Sequence, residues 1–165
     1  MNKRTIIISA FIVLGLVGLM FWGKSNKAVE TSQSSGTTIS SLLVSEKLYD
    51  FGTISMKNGL ANHVFKVTNP SNKDVYVEKI NTSCMCTRAY VESASGEKGP
   101  FGMEGMGYLP PANEVIKAGE SRDIKVVYDP NAHGPAGVGT IDRFIYLTDA
   151  SGNVLQFEIK AVVTP

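Results

Sequence analysis

The chain has 165 residues, of which 43% are apolar, and its formal net charge is +1 at pH 7. This length and composition suffice for one domain with a hydrophobic core and one additional segment. Because nucleic-acid binding requires clustered Lys and Arg, and the sequence contains no basic run, that class of function is unsupported.

The N-terminal stretch is the first predicted element. Residues 5–23, TIIISAFIVLGLVGLMFWG, carry no charge, and as a helix they would cross roughly 30 Å of hydrocarbon. A cleaved secretory signal usually has an apolar region of only about 7–15 residues and a small-x-small cleavage site, which KSNKAVE at 24–30 does not resemble. We therefore expect an uncleaved transmembrane signal anchor at 5–23. If the segment were cleaved, the protein would be secreted.

The charges before this anchor predict its orientation. Lys3 and Arg4 lie in residues 1–4, and positive charge favours a cytoplasmic N-terminal tip. The sequence thus predicts a single-pass protein of the cell membrane whose C-terminal part is extracytoplasmic, in the periplasm or at the cell exterior. Residues 24–41 are rich in Ser and Thr, which predicts a flexible linker. A folded domain is then expected at 42–165.

Within 42–165 the apolar pattern has a period of two and is often interrupted by Gly, Pro, Asn and Asp, which predicts short strands. The segments with this pattern are SEKLYDFG, HVFKVTN, KDVYVEKI, CTRAYVE, SRDIKVVYDP, RFIYLT and VLQFEIKAVV. The alternation puts Phe65 with Val67, Val75 with Val77, and Ile124 with Val126 on one face of their strands, and Leu155, Phe157 and Ile159 are expected to face inward. DASGN at 149–153 suits a short hairpin loop. About seven strands of this kind are typical of an antiparallel β-sandwich.

The order of several fragments resembles a known family. They are YDFGTI at 49–54, HVFKVTN at 63–69, TSCMCT at 82–87, IKAGES at 116–121 and VVYDP at 126–130, followed by a C-terminal hairpin. This order resembles the Hydin-like, or ASH-type, immunoglobulin-like domains of the bacterial domain of unknown function family 1573, over nearly all of the chain after the linker. The resemblance implies an all-β immunoglobulin-like sandwich in an exported, often membrane-tethered setting, without an established activity. In that family the usual motif is similar to Cys-Gly-Cys-Thr, whereas here Met85 replaces the glycine, and the segment 92–115 is longer than usual.

Cys84 and Cys86 are the two cysteines of the chain. On an extended strand, residues i and i+2 point to the same side about 6.6 Å apart. A disulfide is then barely permitted, and it would be strained and easily reduced. The same arrangement would direct two thiolates at a soft ion such as Cu(I) or Zn(II). Two buried thiols, or a short disulfide that caps a strand, are the alternatives.

Methionine and histidine supply further candidate ligands. Met103 and Met106 lie in the glycine-rich stretch GEKGPFGMEGMGYLPP at 96–111, which has no amphipathic packing pattern. Methionines usually fill cores, so packing of this loop on the sandwich is the alternative to ligation of a soft ion by their thioethers. One of the two histidines lies in the loop DPNAHGPAGVG, whereas we expect His63 at the rim of a sheet. The predicted metal site comprises Cys84, Cys86, Met103, Met106 and His133, with Cu(I) as the candidate cofactor.

Catalysis has little support, because the sequence contains no paired carboxylates, nucleophile elbow or phosphate-binding glycine loop. We expect a membrane-anchored, extracytoplasmic, non-catalytic binding domain that binds or delivers a soft metal such as Cu(I). Its expected partners are the membrane, through the N-terminal helix, and a protein at the sandwich loops or at a sheet edge. A protein-interaction or scaffold module with structural cysteines is the main alternative, and a thiol–disulfide redox protein is the other.

Overall fold

A computed structural model describes residues 41–93 and 96–165. The predicted signal anchor at 5–23 and nearly all of the predicted linker at 24–41 lie outside the described residues, so both stay predictions. Within the described ranges, no helix is long and apolar enough to span a membrane.

Ten strands and two short 3-10 helices make up the described part of the chain. The strands are β1 (Leu43–Val44), β2 (Leu48–Ser55), β3 (Ala61–Thr68), β4 (Val75–Thr82), β5 (Thr87–Ser93), β6 (Gly96–Phe101), β7 (Glu114–Ile116), β8 (Ser121–Tyr128), β9 (Gly139–Asp149) and β10 (Val154–Thr164). The 3-10 helices are Met56–Asn58 and Gly134–Gly137. All seven predicted strands are confirmed, and β1, β6 and β7 are additional.

The strands form two five-stranded sheets, in the orders β1-β3-β8-β5-β6 and β2-β10-β9-β4-β7. Among the described strands the pairings are antiparallel, except that β2 runs parallel to β10. The chain leaves the first sheet after β1 and joins the second sheet beside β10, where β2 runs in the same direction as β10. The expected all-β, immunoglobulin-like sandwich is thus confirmed, with one parallel pair that the sequence did not predict.

The core lies between the two sheets. Because successive strand residues point to opposite faces, the apolar residues at alternate positions share one side. The residues expected to face inward, Leu155, Phe157 and Ile159, are buried. The pairs expected to share a face are buried as well: Phe65 with Val67, Val75 with Val77, and Ile124 with Val126. The rings of Phe65 on β3 and Phe157 on β10 meet between the sheets, with their centroids 4.6 Å apart. Burial of one such side chain contributes about 1.5–3 kcal/mol, so these facing residues hold the sheets together.

Buried polar side chains close two of the turns. Asn69 follows β3 and is fully buried; its amide nitrogen donates to the carbonyl oxygens of Lys73 and Ile116, each at 2.8 Å. Asp149 ends β9, and its carboxylate accepts from the backbone nitrogens of Ser151 and Asn153 at 2.8 and 2.9 Å. The second set of bonds closes the hairpin that DASGN predicts.

The glycine-rich stretch at 96–111 differs from the expectation of a loop. Its first part is β6, which pairs with β5 at the edge of the first sheet, and Phe101 is fully buried. The sequence pattern did not reveal this strand, because Gly and Pro have low strand propensity and Pro is tolerated at a sheet edge. The remaining residues, 102–111, form a loop that starts beside β4.

Candidate functional site

The two cysteines lie in a turn that joins β4 of the second sheet to β5 of the first. The backbone nitrogen of Thr87 donates to the carbonyl oxygen of Cys84 at 3.1 Å, which closes a β-turn over residues 84–87. The Cα atoms of Cys84 and Cys86 are 5.2 Å apart, and their sulfurs form a disulfide. The expectation of an extended Cys-x-Cys segment, which barely permits a disulfide, is therefore wrong, because the turn shortens the distance between the two residues.

Thr82, the last residue of β4, supports this turn from the buried side. Its hydroxyl lies 3.0 Å from the carbonyl oxygens of both Cys84 and Thr87, and the residue is 2% exposed. The backbone nitrogen of Thr82 donates to the carbonyl oxygen of Gly102 at 3.0 Å, and Thr82 also forms an isolated bridge with Met103. One residue thus connects the cysteine turn to the methionine-bearing loop.

His133 lies in the connection between β8 and β9, which crosses from the first sheet to the second at the same end of the sandwich. Its Nε2 lies 3.3 Å from the Sγ of Cys84. The backbone nitrogen of Asp129 donates to the carbonyl oxygen of Cys86 at 2.8 Å, which joins the two crossovers. The ligating atoms of Cys84, Cys86 and His133 all lie within 4.8 Å of one another. Three of the five predicted ligands are therefore brought together by the fold.

Arg143 on β9 adds a positive charge to this cluster. Its Nε donates to the Sγ of Cys86 at 3.3 Å, and a neighbouring cation favours the thiolate form of a cysteine. β9 is held against the turn by reciprocal bonds, because Ser83 and Phe144 each donate a hydrogen bond to the other at 2.9 Å. Sequence reasoning missed Arg143, since a single arginine in a strand carries no signal of a contact 57 residues away.

Met103 and Met106 lie beside the cysteine turn and share a groove with Met85. The groove has a volume of about 350 Å³, and Arg88, Tyr108 and Leu109 contribute to its walls. The exposed fractions of the three methionines range from 39% to 57%, so they do not pack this loop into the core. Sequence reasoning missed Met85, which lies on the outer side of the turn between the cysteines.

His63 is separate from this cluster. Its Nε2 lies 2.7 Å from the carboxylate of Glu46, and its ring stacks on that of Tyr49 with the centroids 3.5 Å apart. The ring also meets Phe65 edge-on. His63 thus lies between the rings of Tyr49 and Phe65, outside the cysteine cluster.

The comparisons with known proteins find a family model that matches part of the chain. Residues 42–103 match the family described as "Protein of unknown function (DUF1573)", which confirms the expected family resemblance over these residues. No curated protein matches the chain at a significant level of sequence similarity.

Several solved structures share the fold. A protein of unknown function from Porphyromonas gingivalis W83 aligns with a TM-score of 0.54 and 12% identity, over 82% of this chain and 51% of that one. The VesB protease of Vibrio cholerae aligns with a TM-score of 0.51 and 12% identity, over 74% and 32% of the two chains. A family 123 glycoside hydrolase from Clostridium perfringens aligns with a TM-score of 0.51 and 8% identity, over 72% and 23%. The chain spans about half of the first structure and a third or less of the others, and such low identity shows the sandwich fold alone.

Proposed function

We propose that this chain, whose residues 42–103 match a family of unknown function, is a non-catalytic binding domain for a soft metal ion. The preferred ion is Cu(I). The observation that supports it is the meeting of the ligating atoms of Cys84, Cys86 and His133 within 4.8 Å of one another. Two thiolates and an imidazole suit Cu(I) or Zn(II) better than hard cations such as Mg²⁺ or Ca²⁺. The two cysteines and His133 lie at one end of the sandwich, on connections held by rigid strands.

Metal binding at this site requires the reduced form of the cysteine pair, because thiolates and not disulfides are the ligands. A dithiol reductant transfers two electrons and two protons to the Cys84–Cys86 disulfide; the S–S bond breaks, two thiols form, and the reductant becomes a disulfide. The thiols then lose their protons to solvent as the metal binds. The oxidised chain therefore does not bind the metal at the cysteine site.

The charge around the sulfurs favours a monovalent ion. Cu(I) bound by two thiolates and a neutral imidazole carries a net charge of −1, which the guanidinium of Arg143, 3.3 Å from the Sγ of Cys86, offsets. Zn(II) in the same ligands forms a neutral complex and leaves the guanidinium without a negative partner. This difference supports Cu(I) over Zn(II). The predicted signal anchor at 5–23 would hold the site on the extracytoplasmic side of a membrane, and that placement is part of the proposal.

The experiment is a Cu(I) titration of the purified full chain, without oxygen and in competition with a chromophoric Cu(I) chelator. The chain reduced by a phosphine should bind one equivalent of Cu(I), and the oxidised chain should bind none at the same chelator concentration. Cys84→Ser combined with Cys86→Ser should lose this binding. His133→Ala should weaken it about tenfold or more, equivalent to at least about 1.4 kcal/mol.

His63→Ala is the matched control, because it removes the histidine that lies outside the cluster. Equal Cu(I) uptake by the reduced chain and by its cysteine-free variant would refute the metal proposal and would favour a protein-interaction module. Uptake that is unaffected by His133→Ala but lost with the cysteines would exclude the imidazole as a ligand.

A further inference from the structure

Three methionines surround one groove at the same end of the sandwich. Met85 is 45% exposed, Met103 39% and Met106 57%, although methionine side chains usually fill hydrophobic cores. Their thioethers are soft, neutral donors that need no deprotonation before they bind a metal. Three such donors at one groove form a donor set that core packing does not explain.

The backbone holds two of these side chains next to the cysteine cluster. Met85 is the second residue of the β-turn that the bond between Thr87 and Cys84 closes. Met103 is bridged to Thr82, whose hydroxyl lies 3.0 Å from the Cys84 carbonyl oxygen. The hydrogen bonds of the β-turn and of Thr82 thus set the position of the methionine groove relative to the disulfide.

Met85 belongs to two cavities. It lines the groove with Met103 and Met106, and it also lines a second cavity of about 260 Å³ together with Cys86. A soft ion that leaves the thioethers through the position of Met85 therefore arrives beside Cys86.

The groove is unsuited to hard cations. None of the described residues that line the groove carries a carboxylate, whereas Arg88 is one of them. The carboxylate of Glu104, in the same loop, instead pairs with Lys79 at 2.9 Å. The guanidinium of Arg88 weakens any cation site nearby by repulsion, so binding by the three thioethers should be weaker than binding by two thiolates.

We infer that Met85, Met103 and Met106 form a second, weaker soft-metal site that receives Cu(I) and passes it to Cys84, Cys86 and His133. This inference rests on the proposed function for its second half, the transfer. In that step the metal–thioether bonds break, metal–thiolate bonds form, and two thiol protons go to solvent, while copper stays in the +1 state. The gain of two anionic ligands drives the ion from the groove to the cysteines.

The first test uses the full chain with Cys84→Ser and Cys86→Ser, so that no thiol competes. The methionine methyl groups are labelled with ¹³C, and Ag(I) serves as a redox-inert probe for Cu(I). The methyl resonances of Met85, Met103 and Met106 should shift together and saturate. The resonance of Met56, which does not line the groove, should not shift. Absence of a shift at the three methionines would overturn the inference, and it would leave the cysteine titration of the proposed function unaffected.

The second test restores the cysteines and changes Met85, Met103 and Met106 to Leu, which keeps side-chain volume and apolar character. Met56→Leu is the matched control. Relative to wild type, the triple variant should still bind one equivalent of Cu(I), but its rate of loading from a Cu(I)–chelator complex in stopped flow should fall about tenfold or more. An unchanged loading rate would overturn the transfer. If the triple variant no longer bound one equivalent of Cu(I) at equilibrium, the methionines would belong to the cysteine site, and the inference of a separate methionine site would be overturned.

Discussion

Replacement of Thr82 by valine tests how the cysteine turn is held. Valine has nearly the same shape as threonine but carries a methyl group in place of the hydroxyl. The substitution removes a donor that lies 3.0 Å from the carbonyl oxygens of Cys84 and Thr87. Because Thr82 is only 2% exposed, bulk water has little access to replace that donor.

The size of the effect follows from this geometry. A hydroxyl has one proton and can donate one full hydrogen bond at a time. The carbonyl oxygen of Cys84 keeps the backbone nitrogen of Thr87 as a donor, so the acceptor that loses its donor is the carbonyl oxygen of Thr87. A buried acceptor left without its donor costs about 1–3 kcal/mol. The added methyl group recovers up to about 0.8 kcal/mol through burial. Thr82→Val should therefore lower the free energy of unfolding by roughly 0.2–2 kcal/mol, with about 1 kcal/mol in the middle of this range.

Urea unfolding of the full chain with its disulfide intact, followed by circular dichroism, measures this loss. The matched control is Thr140→Val, at an exposed position of β9, which should stay within about 0.5 kcal/mol of wild type. Hydrogen exchange adds a local readout, because the amide of Thr87 donates to Cys84 across the turn and should exchange faster in Thr82→Val. Equal stability of the two variants, with unchanged exchange at Thr87, would refute the role of the hydroxyl.

Two further predictions concern buried polar groups. Asn69→Ala should lower the free energy of unfolding by about 2–4 kcal/mol, because two carbonyl oxygens lose their amide donor. Asn72→Ala, at an exposed position of the same turn, should change the free energy of unfolding by less than about 0.5 kcal/mol. Similar losses in both variants would contradict the role of the Asn69 amide. Burial raises the pKa of the Tyr128 phenol above its ordinary value of about 10. The neutral phenol therefore makes its full contribution to stability below about pH 10, and this contribution is lost as the pH rises through the raised pKa of the folded state. Urea unfolding as a function of pH should show this loss of stability in wild type and in Tyr108→Phe, the control at an exposed tyrosine. A similar loss of stability at alkaline pH in Tyr128→Phe would contradict the assignment to Tyr128.

The strands could be predicted where burial acts on one face of a sheet. VLQFEIKAVV alternates because Leu155, Phe157 and Ile159 enter the core while their neighbours do not, and this constraint is visible in the residue types. GEKGPF, which forms β6, shows no such alternation, since an edge strand can be held by backbone hydrogen bonds alone. The edge strand β6, from which the methionine loop continues, could therefore not be predicted from an alternation of apolar residues.

The sequence by itself determined that the two cysteines are separated by one residue and that the domain is a sandwich of short strands. It also determined that Met103, Met106 and His133 are candidate soft or borderline ligands. Only the tertiary structure decided that Cys84 and Cys86 occupy a turn and form a disulfide, and that residues 49 and 57 positions away reach their sulfurs. The physical reason is the order of strands in the two sheets. The β4–β5 and β8–β9 connections both cross between the sheets at one end, so the chain returns His133 and Arg143 to the cysteines through pairings that no local pattern encodes.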